Sequence, residues 1–463
     1  MRAAWLLVAP LVWAGCGDNL APPLDASADF LTRLRALPGV ADAGEAPTGT
    51  AGFHYYVVHV TQPVDHADPG GPTFLQQVSL LHKDEAAPLI VYTTGYADYE
   101  LDYADELAQF LGGNQLSIEH RFFGSSKPDP VDWTKLTVEQ MAGDEHAIIA
   151  AFRKLYPGKV LTSGGSKGGM TAVFHRRFFP DDVDGTVAYV APISFAERDP
   201  RYPPYLAALG TPACRAGIQA LAVELLSHRR AAMEQRALAE AQTIGYRYTR
   251  VAIGPAVEAA INDLEWNFWQ YHGAPFCGNM PVPTASDDAL YTYLDDVSAP
   301  NANSDQSIAA FDAYYYQTDN QLGFPDDGTG YLDPYRQYTD ADYAALLPVA
   351  RPAYDGGAAM HDIDDFVQHA AARLLFVYGA WDPWTGGAFQ LGAAQDALLV
   401  TVPKGSHNAN LRRLAADDQA AAFAKLAAWT GVTPVVTARL DPGPPREPHL
   451  PSALRRALHA RRR

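Results

Sequence analysis

Apolar positions along this chain fall into two rhythms. Residues 53–60 and 74–81 alternate β-branched or aromatic side chains with polar ones, the period-two pattern of antiparallel strands. Leu89–Thr93 is a short continuous apolar run, as in a strand buried on both faces, and 115–118 is another. Helical period takes over across 138–155. Residues 160–162 then read as a strand, followed by a Gly-rich turn, a helix over about 167–179, and a further strand at 186–190. Far downstream, 374–378 and Leu398–Val402 are strands and 411–429 is an amphipathic helix. Alternation of this kind predicts an α/β fold with a mostly parallel sheet covered on both faces.

The interval 195–366 breaks the alternation. It carries helical stretches at 216–239 and 257–269 and many aromatics, and reads as a helical cap inserted over the sheet. No internal repeat is visible. The length of 463 residues suits one large core with an insertion. The expected organisation is a signal peptide at 1–15, a linker at 16–50 and the first part of the core at 51–195. The cap follows at 196–365, the second part of the core at 366–435, and a disordered tail at 436–463. The linker is rich in Ala, Pro, Asp and Gly, with at most one short helix near 30–37. In the tail, Pro442, Pro444, Pro445, Pro448 and Pro451 break regular structure, and Arg461, Arg462 and Arg463 form a solvated cluster.

Charge narrows the partners. A net charge of −18 makes most of the surface repel nucleic acid and anionic membranes, and there is no basic patch interleaved with aromatics. No H-E-x-x-H motif or Cys/His cluster at zinc spacing is present, so no metal site is expected. Arg2 followed by an uncharged apolar stretch from Ala3 to Gly15 matches an export signal too short to span a bilayer once folded. Ala14-Gly15-Cys16 adds a lipoprotein-like ending, in which Cys16 would carry the lipid and form the protein's only membrane attachment. Trp13 departs from the aliphatic residue usual there, and ordinary cleavage is the alternative. In an oxidising compartment the other two cysteines, Cys214 and Cys277, are either a disulfide or two buried thiols.

The strongest chemical signal is Gly164-Gly165-Ser166-Lys167-Gly168-Gly169, between a strand and a helix. This is the G-x-S-x-G nucleophile elbow in its required setting. The tight turn needs small neighbours, and the following helix N-terminus aims amides at a developing oxyanion. A P-loop would need a different spacing. Serine needs a general base, and the base an orienting carboxylate, in the order Ser, acid, His for this fold. His407 sits in the loop after Leu398–Val402 and before the last helix; Asp382 follows the strand at 374–378. Ser166, Asp382 and His407 are therefore the expected catalytic triad of an α/β-hydrolase. The backbone amides of Lys167 and Tyr96 are the expected oxyanion hole, Tyr96 lying in the loop after Leu89–Thr93.

Five side chains are candidates for substrate binding. Glu119 and Arg121, in a charged and aromatic cluster at a strand end, read either as a wall of the active site or as a buried ion pair. Glu265 and Trp269 read either as a cage for a free ammonium or as core of the cap, and Trp381 adjoins Asp382.

Several runs together resemble the secreted actinobacterial tripeptidyl aminopeptidase family, serine peptidase family thirty-seven. They are Thr61-Gln62-Pro63-Val64-Asp65-His66, Gly113-Asn114-Gln115, Arg121-Phe122-Phe123, the run from Gly164 to Thr171, the run from Asp184 to Pro192, Phe268-Trp269-Gln270-Tyr271, and Phe376-Val377-Tyr378-Gly379 with Asp382-Pro383-Trp384. The likeness runs over about 52–432. The family is in turn similar to the Pro-Xaa carboxypeptidase and dipeptidyl peptidase II group. The resemblance implies an α/β-hydrolase with a helical cap, no cofactor, and release of short peptides from polypeptide N-termini. It puts nucleophile, acid and base on Ser166, Asp382 and His407, and cysteines at Cys214 and Cys277. Peptides are the expected substrates, and a preference for Pro beside the scissile bond stays open. A lipase or esterase of the same fold is the first alternative, since the triad serves both; the acidic cap residues, such as Asp263, Asp287 and Asp295, favour peptide. A non-catalytic surface binding protein is the second. Oligomeric state is not legible.

Overall fold

The computed structural model describes residues 24–98 and 102–436. The expected signal peptide, Cys16 and the tail from 437 onward lie outside the described residues. Among the described residues, nine strands form one sheet: β1 (Val40–Ala46), β2 (His54–Pro63), β3 (Thr73–His82), β4 (Leu89–Thr93), β5 (Asn114–Ile118), β6 (Val160–Gly165), β7 (Gly185–Tyr189), β8 (Leu374–Gly379) and β9 (Leu398–Val402). Their spatial order is β1-β2-β3-β5-β4-β6-β7-β8-β9. The first four in space pair antiparallel, and every pair from β5 to β9 is parallel. The order reverses beside β4 and β6, and such a switch leaves a crevice at the strand ends where ligands bind.

The helices are α1 (Phe30–Arg35), α2 (Glu106–Leu111), α3 (Val138–Phe152), α4 (Lys167–Phe178), α5 (Tyr202–Leu206), α6 (Pro212–Glu224), α7 (Arg230–Ile244), α8 (Ile253–Asn262), α9 (Leu264–Asn267), α10 (Asp287–Ser298), α11 (Asp305–Gln317), α12 (Ala358–His369) and α13 (Ala416–Thr430). Both faces of the sheet are covered. Ile90, Leu161, Val187 and Leu375 pack on one side against Leu107 and Phe110 of α2 and Leu426 and Trp429 of α13. On the other, Leu89, Val91 and Leu116 meet Ile148, Ile149 and Phe152 of α3. Each such fully buried side chain contributes about 1.5–3 kcal/mol over leaving it in water.

In the segment expected to be a linker with at most one short helix near 30–37, α1 falls at that place, and a strand that was not expected follows it. β1 extends the sheet by pairing antiparallel with β2, and Leu34 and Leu37 are buried beneath it. Phe30 stacks on His82 at 3.8 Å between ring centroids. The run Val40–Ala46 is Ala-rich with a Gly, so its own strand preference is weak; the ladder offered by the edge of β2 decides its conformation. The last helix begins at Ala416, after a single 3₁₀ turn at Leu411–Arg413.

Cys214, in the first turn of α6, is disulfide-bonded to Cys277 across 63 residues. Closing a loop of that length is worth about 4 kcal/mol in the chain-entropy account. The double variant Cys214→Ser/Cys277→Ser is therefore expected to lose about that much stability in denaturant unfolding, whereas a loss below about 1 kcal/mol would contradict it. Among the described residues, no helix is long and apolar enough to cross a membrane.

Candidate active site

Ser166 stands between the end of β6 and the start of α4 with φ 57° and ψ −128°. That conformation costs a serine on the order of 1–3 kcal/mol and persists only where the surroundings enforce it. Its amide donates to Tyr189 O at 2.8 Å and its carbonyl accepts from Met170 N at 3.0 Å. The flanking glycines are steric requirements. A Cβ on Gly168 would lie 2.2 Å from Thr93 O, and one on Gly164 would lie 2.5 Å from Gly168 C.

Asp382 follows β8 and is fully buried. Its Oδ1 accepts from Trp384 N at 3.1 Å, and its Oδ2 lies 2.7 Å from His407 Nδ1. A carboxylate at that nitrogen selects the tautomer with the proton on Nδ1 and leaves the Nε2 lone pair for an incoming proton. His407 N donates to Gln270 O at 2.9 Å, so the loop carrying the imidazole is tied to the inserted helices. Nε2 makes no hydrogen bond among the described residues, and Ser166 and His407 face the same cavity. In a free hydrolase that last bond is often open and closes around substrate.

Lys167 is the first residue of α4, so its amide has no intrahelical partner. Its ammonium is buried, donates to Gly95 O at 2.7 Å and lies over the rings of Phe123 (5.0 Å) and Tyr96 (5.5 Å). Burial holds it well below the ordinary lysine range, opposed by the nearby Glu145. The side chain thus ties the 94–96 loop down onto the elbow. The Tyr96 amide, expected to be an open oxyanion donor, is instead directed at Thr94 Oγ1 at 3.2 Å, because the threonine hydroxyl folds back on its own loop.

The five candidate substrate contacts lie away from the cavity. Glu119 is buried and accepts from the amides of Asp98 (2.8 Å), Ser125 and Ser126 (both 3.0 Å) and from Ser126 Oγ (2.6 Å). Arg121 pairs with Asp144 at 2.6 and 2.7 Å and not with Glu119. Neither residue lines the cavity and the two do not pair, so both earlier readings fail; β5 ends at Ile118, before either of them, and strand pattern no longer sets where they point. Glu265 accepts from Gln219 Nε2 at 3.1 Å; burial pushes its carboxyl up, against that bond. Trp269 is fully buried edge-on to Trp381 at 5.9 Å. Helix phase explains the error. Positions 265 and 269 share one face, turned into the apolar packing, while Asp263, Asn267 and Gln270 share the face that lines the cavity. Counting i, i+4, i+7 from 263 would have found it.

The cavity encloses about 610 Å³. Rings follow one another around its wall: Tyr96 lies 5.6 Å from Phe311 and 5.9 Å from Tyr314, Phe324 lies 6.5 Å from Tyr314 and 6.1 Å from Trp384, and Trp384 lies 6.2 Å from His407. Two carboxylates in the wall are held above the ordinary carboxylate range. Burial, with Asp105 beside it, pushes Glu106 up to about 7 although it accepts from Leu411 N at 2.8 Å. Burial, with the Asp327 charge, pushes Asp263 up to about 7. Among the described residues no group of three or more His, Cys, Asp or Glu side chains is placed to hold a metal ion.

These features sit on a chain with recognisable kin. It is 38% identical over 413 residues to a prolyl tri/tetrapeptidyl aminopeptidase of Streptomyces mobaraensis, covering 88% of this chain and 86% of that one. It is 23% identical over 475 aligned positions to a lysosomal Pro-X carboxypeptidase of Bos taurus, covering 88% of this chain and 91% of the relative. The family model for PS-10 peptidase S37 matches residues 24–447. The chain therefore belongs to the PS-10 peptidase S37 family and is a hydrolase of the serine peptidase class with an α/β-hydrolase fold.

Proposed function

We propose that this protein is an exported exopeptidase that releases short peptides from free N-termini, with Pro favoured on the acyl side of the scissile bond, by a Ser166–His407–Asp382 triad. The observation that carries the reading is the convergence of the strained Ser166 elbow and the Asp382–His407 pair on one enclosed, aromatic-walled cavity. His407 Nε2 takes the Ser166 proton as Oγ attacks the peptide carbonyl, and the developing imidazolium is stabilised by buried Asp382. The oxyanion forms beside the Lys167 amide at the N-terminus of α4. Collapse expels the leaving amine with the proton from His407; water, deprotonated by the same nitrogen, then releases the acyl peptide. The ring of Tyr96, Phe311, Tyr314, Phe324 and Trp384 is a flat-walled box suited to a pyrrolidine. Residues 196–365 act as the cap that admits chain ends only, on a core of 51–195 and 366–435. The names of the relatives support the Pro preference and the tri- or tetrapeptide length. Export rests on the apolar start ending at Cys16.

The test is a matched panel of fluorogenic peptides and esters. Each peptide is offered with a free and a blocked amine, and with and without Pro before the bond. Cleavage confined to free-amine, Pro-containing peptides supports the proposal. Cleavage of esters alone would place the chain among esterases, and turnover of nothing would leave a binding protein.

Lys167 offers a second check. Lys167→Met removes the tie to Gly95 O and is expected to lower kcat about 10- to 100-fold with KM little changed, less than deleting an oxyanion donor outright. Tm should hold or rise, since a buried ammonium is removed. Unchanged kcat in steady-state assays would contradict this role.

A further inference from the structure

A peptidase that counts residues from the N-terminus must hold the terminal ammonium at a fixed distance from its nucleophile. We propose that Asp263, at the end of α8, is that anchor: it binds the free α-ammonium of the peptide substrate within the cavity that holds Ser166. The inference rests on the aminopeptidase reading above and names the side chain that would enforce it.

Among the described residues, the cavity wall holds four carboxylates: Asp98, Asp105, Glu106 and Asp263. Asp98 and Asp105 have partners of their own, and Glu106 is engaged by the Leu411 amide. Asp263 makes no ion pair or side-chain hydrogen bond among the described residues. It lines the cavity, and its side chain is exposed there and not sealed into the packing. Arg336, the cation whose charge reaches it, is committed to Asp333 at 2.7 Å, and the Asp327 charge adds to the negative field there. The cations in the wall are placed elsewhere. Lys167 is tied to Gly95 O, Arg412 donates to Gln109 at 2.8 Å and Arg413 to Asn408 at 2.7 Å, the last two in the loop that follows His407. The Asp263 end of the cavity therefore selects for positive charge.

The surroundings suit an ammonium. Tyr315 of α11 and Tyr343 also line the cavity; burial pushes both phenols up, and the Asp263 charge reaches both and adds to the rise. A carboxylate flanked by aromatic faces satisfies an ammonium by a charge-assisted bond and by cation–π attraction. The carboxyl, raised to about 7 by burial, is costly to ionise alone, and a bound cation offsets that cost. A blocked terminus brings no charge and leaves the site unpaired.

The experiment compares wild type, Asp263→Asn and Asp263→Glu on one Pro-containing tripeptide amide of a coumarin, with its amine free or acetylated. The expected result is that Asp263→Asn raises KM for the free-amine substrate on the order of 10- to 100-fold, the range for loss of a charge-assisted bond, with a smaller change in kcat. The preference for free over acetylated substrate should collapse. Asp263→Glu, which keeps the charge, should retain a measurable part of that preference. Thermal melts of all three proteins exclude a folding defect as the cause. If Asp263→Asn melts with wild type and keeps the full free-amine preference, the anchor lies elsewhere and this inference fails while the aminopeptidase reading stands. If wild type cleaves acetylated and free substrates equally, the aminopeptidase reading itself fails.

Discussion

Replacing Ser166 by Ala is expected to lower kcat on the order of a million-fold, leaving the ~10³–10⁴-fold advantage over water that binding and oxyanion stabilisation supply by themselves. The change should not unfold the protein. Among the described residues its hydroxyl makes no hydrogen bond, and the turn is enforced by backbone bonds to Tyr189 and Met170 and by the contacts of Gly164 and Gly168. Relief of the strained conformation is small, because alanine is no better suited than serine to φ 57°. KM should stay within a few-fold, since Oγ contributes to the transition state far more than to ground-state binding. Steady-state kinetics on the free-amine Pro peptide, with a thermal melt of the same sample, checks both halves. Retention of more than about a thousandth of the activity would remove Ser166 from its assigned role.

Asp382→Asn is expected to lower kcat about 10⁴-fold while the structure holds. The side chain is fully buried, and its Oδ1 accepts the Trp384 amide whether the group is a carboxylate or an amide. The atom facing His407 Nδ1 at 2.7 Å decides the effect. An amide NH₂ there donates, so Nδ1 must accept and the ring proton moves to Nε2. The imidazole then presents a proton to Ser166 where it should present a lone pair. The loss should appear in kcat and kcat/KM alike. An activity within about tenfold of wild type would mean that another carboxylate orients His407.

How much of this was legible before the structure depends on how local each signal is. The elbow is legible because Gly164, Ser166 and Gly168 lie within five residues of one another on one strand-to-helix turn, where a Cβ on either glycine would strike backbone. Asp382 and His407 are 25 residues apart but each follows a strand of the same parallel sheet, so strand order brings them to the same edge. The Ala-rich β1 was missed because its conformation comes from the open edge of β2 and not from its own residues. Glu119, Arg121, Glu265 and Trp269 are conspicuous residue types whose partners, Asp98, Asp144, Gln219 and Trp381, are remote in sequence. Conspicuous chemistry alone therefore pointed at buried packing. Asp263, a plain helix-end aspartate, gave no sign except its phase relative to Asn267 and Gln270.

The most direct test of the central claim is to trap the acyl-enzyme step on the intact protein. The purified chain is treated with a fluorophosphonate, with and without an excess of a free-amine Pro peptide, and the modified residue is located by peptide mass spectrometry. The account predicts a single stoichiometric adduct on Ser166, slowed by the peptide, and severely slowed in Asp382→Asn. An adduct on another residue, or an unmodified Ser166 in protein that cleaves the peptide, would contradict it.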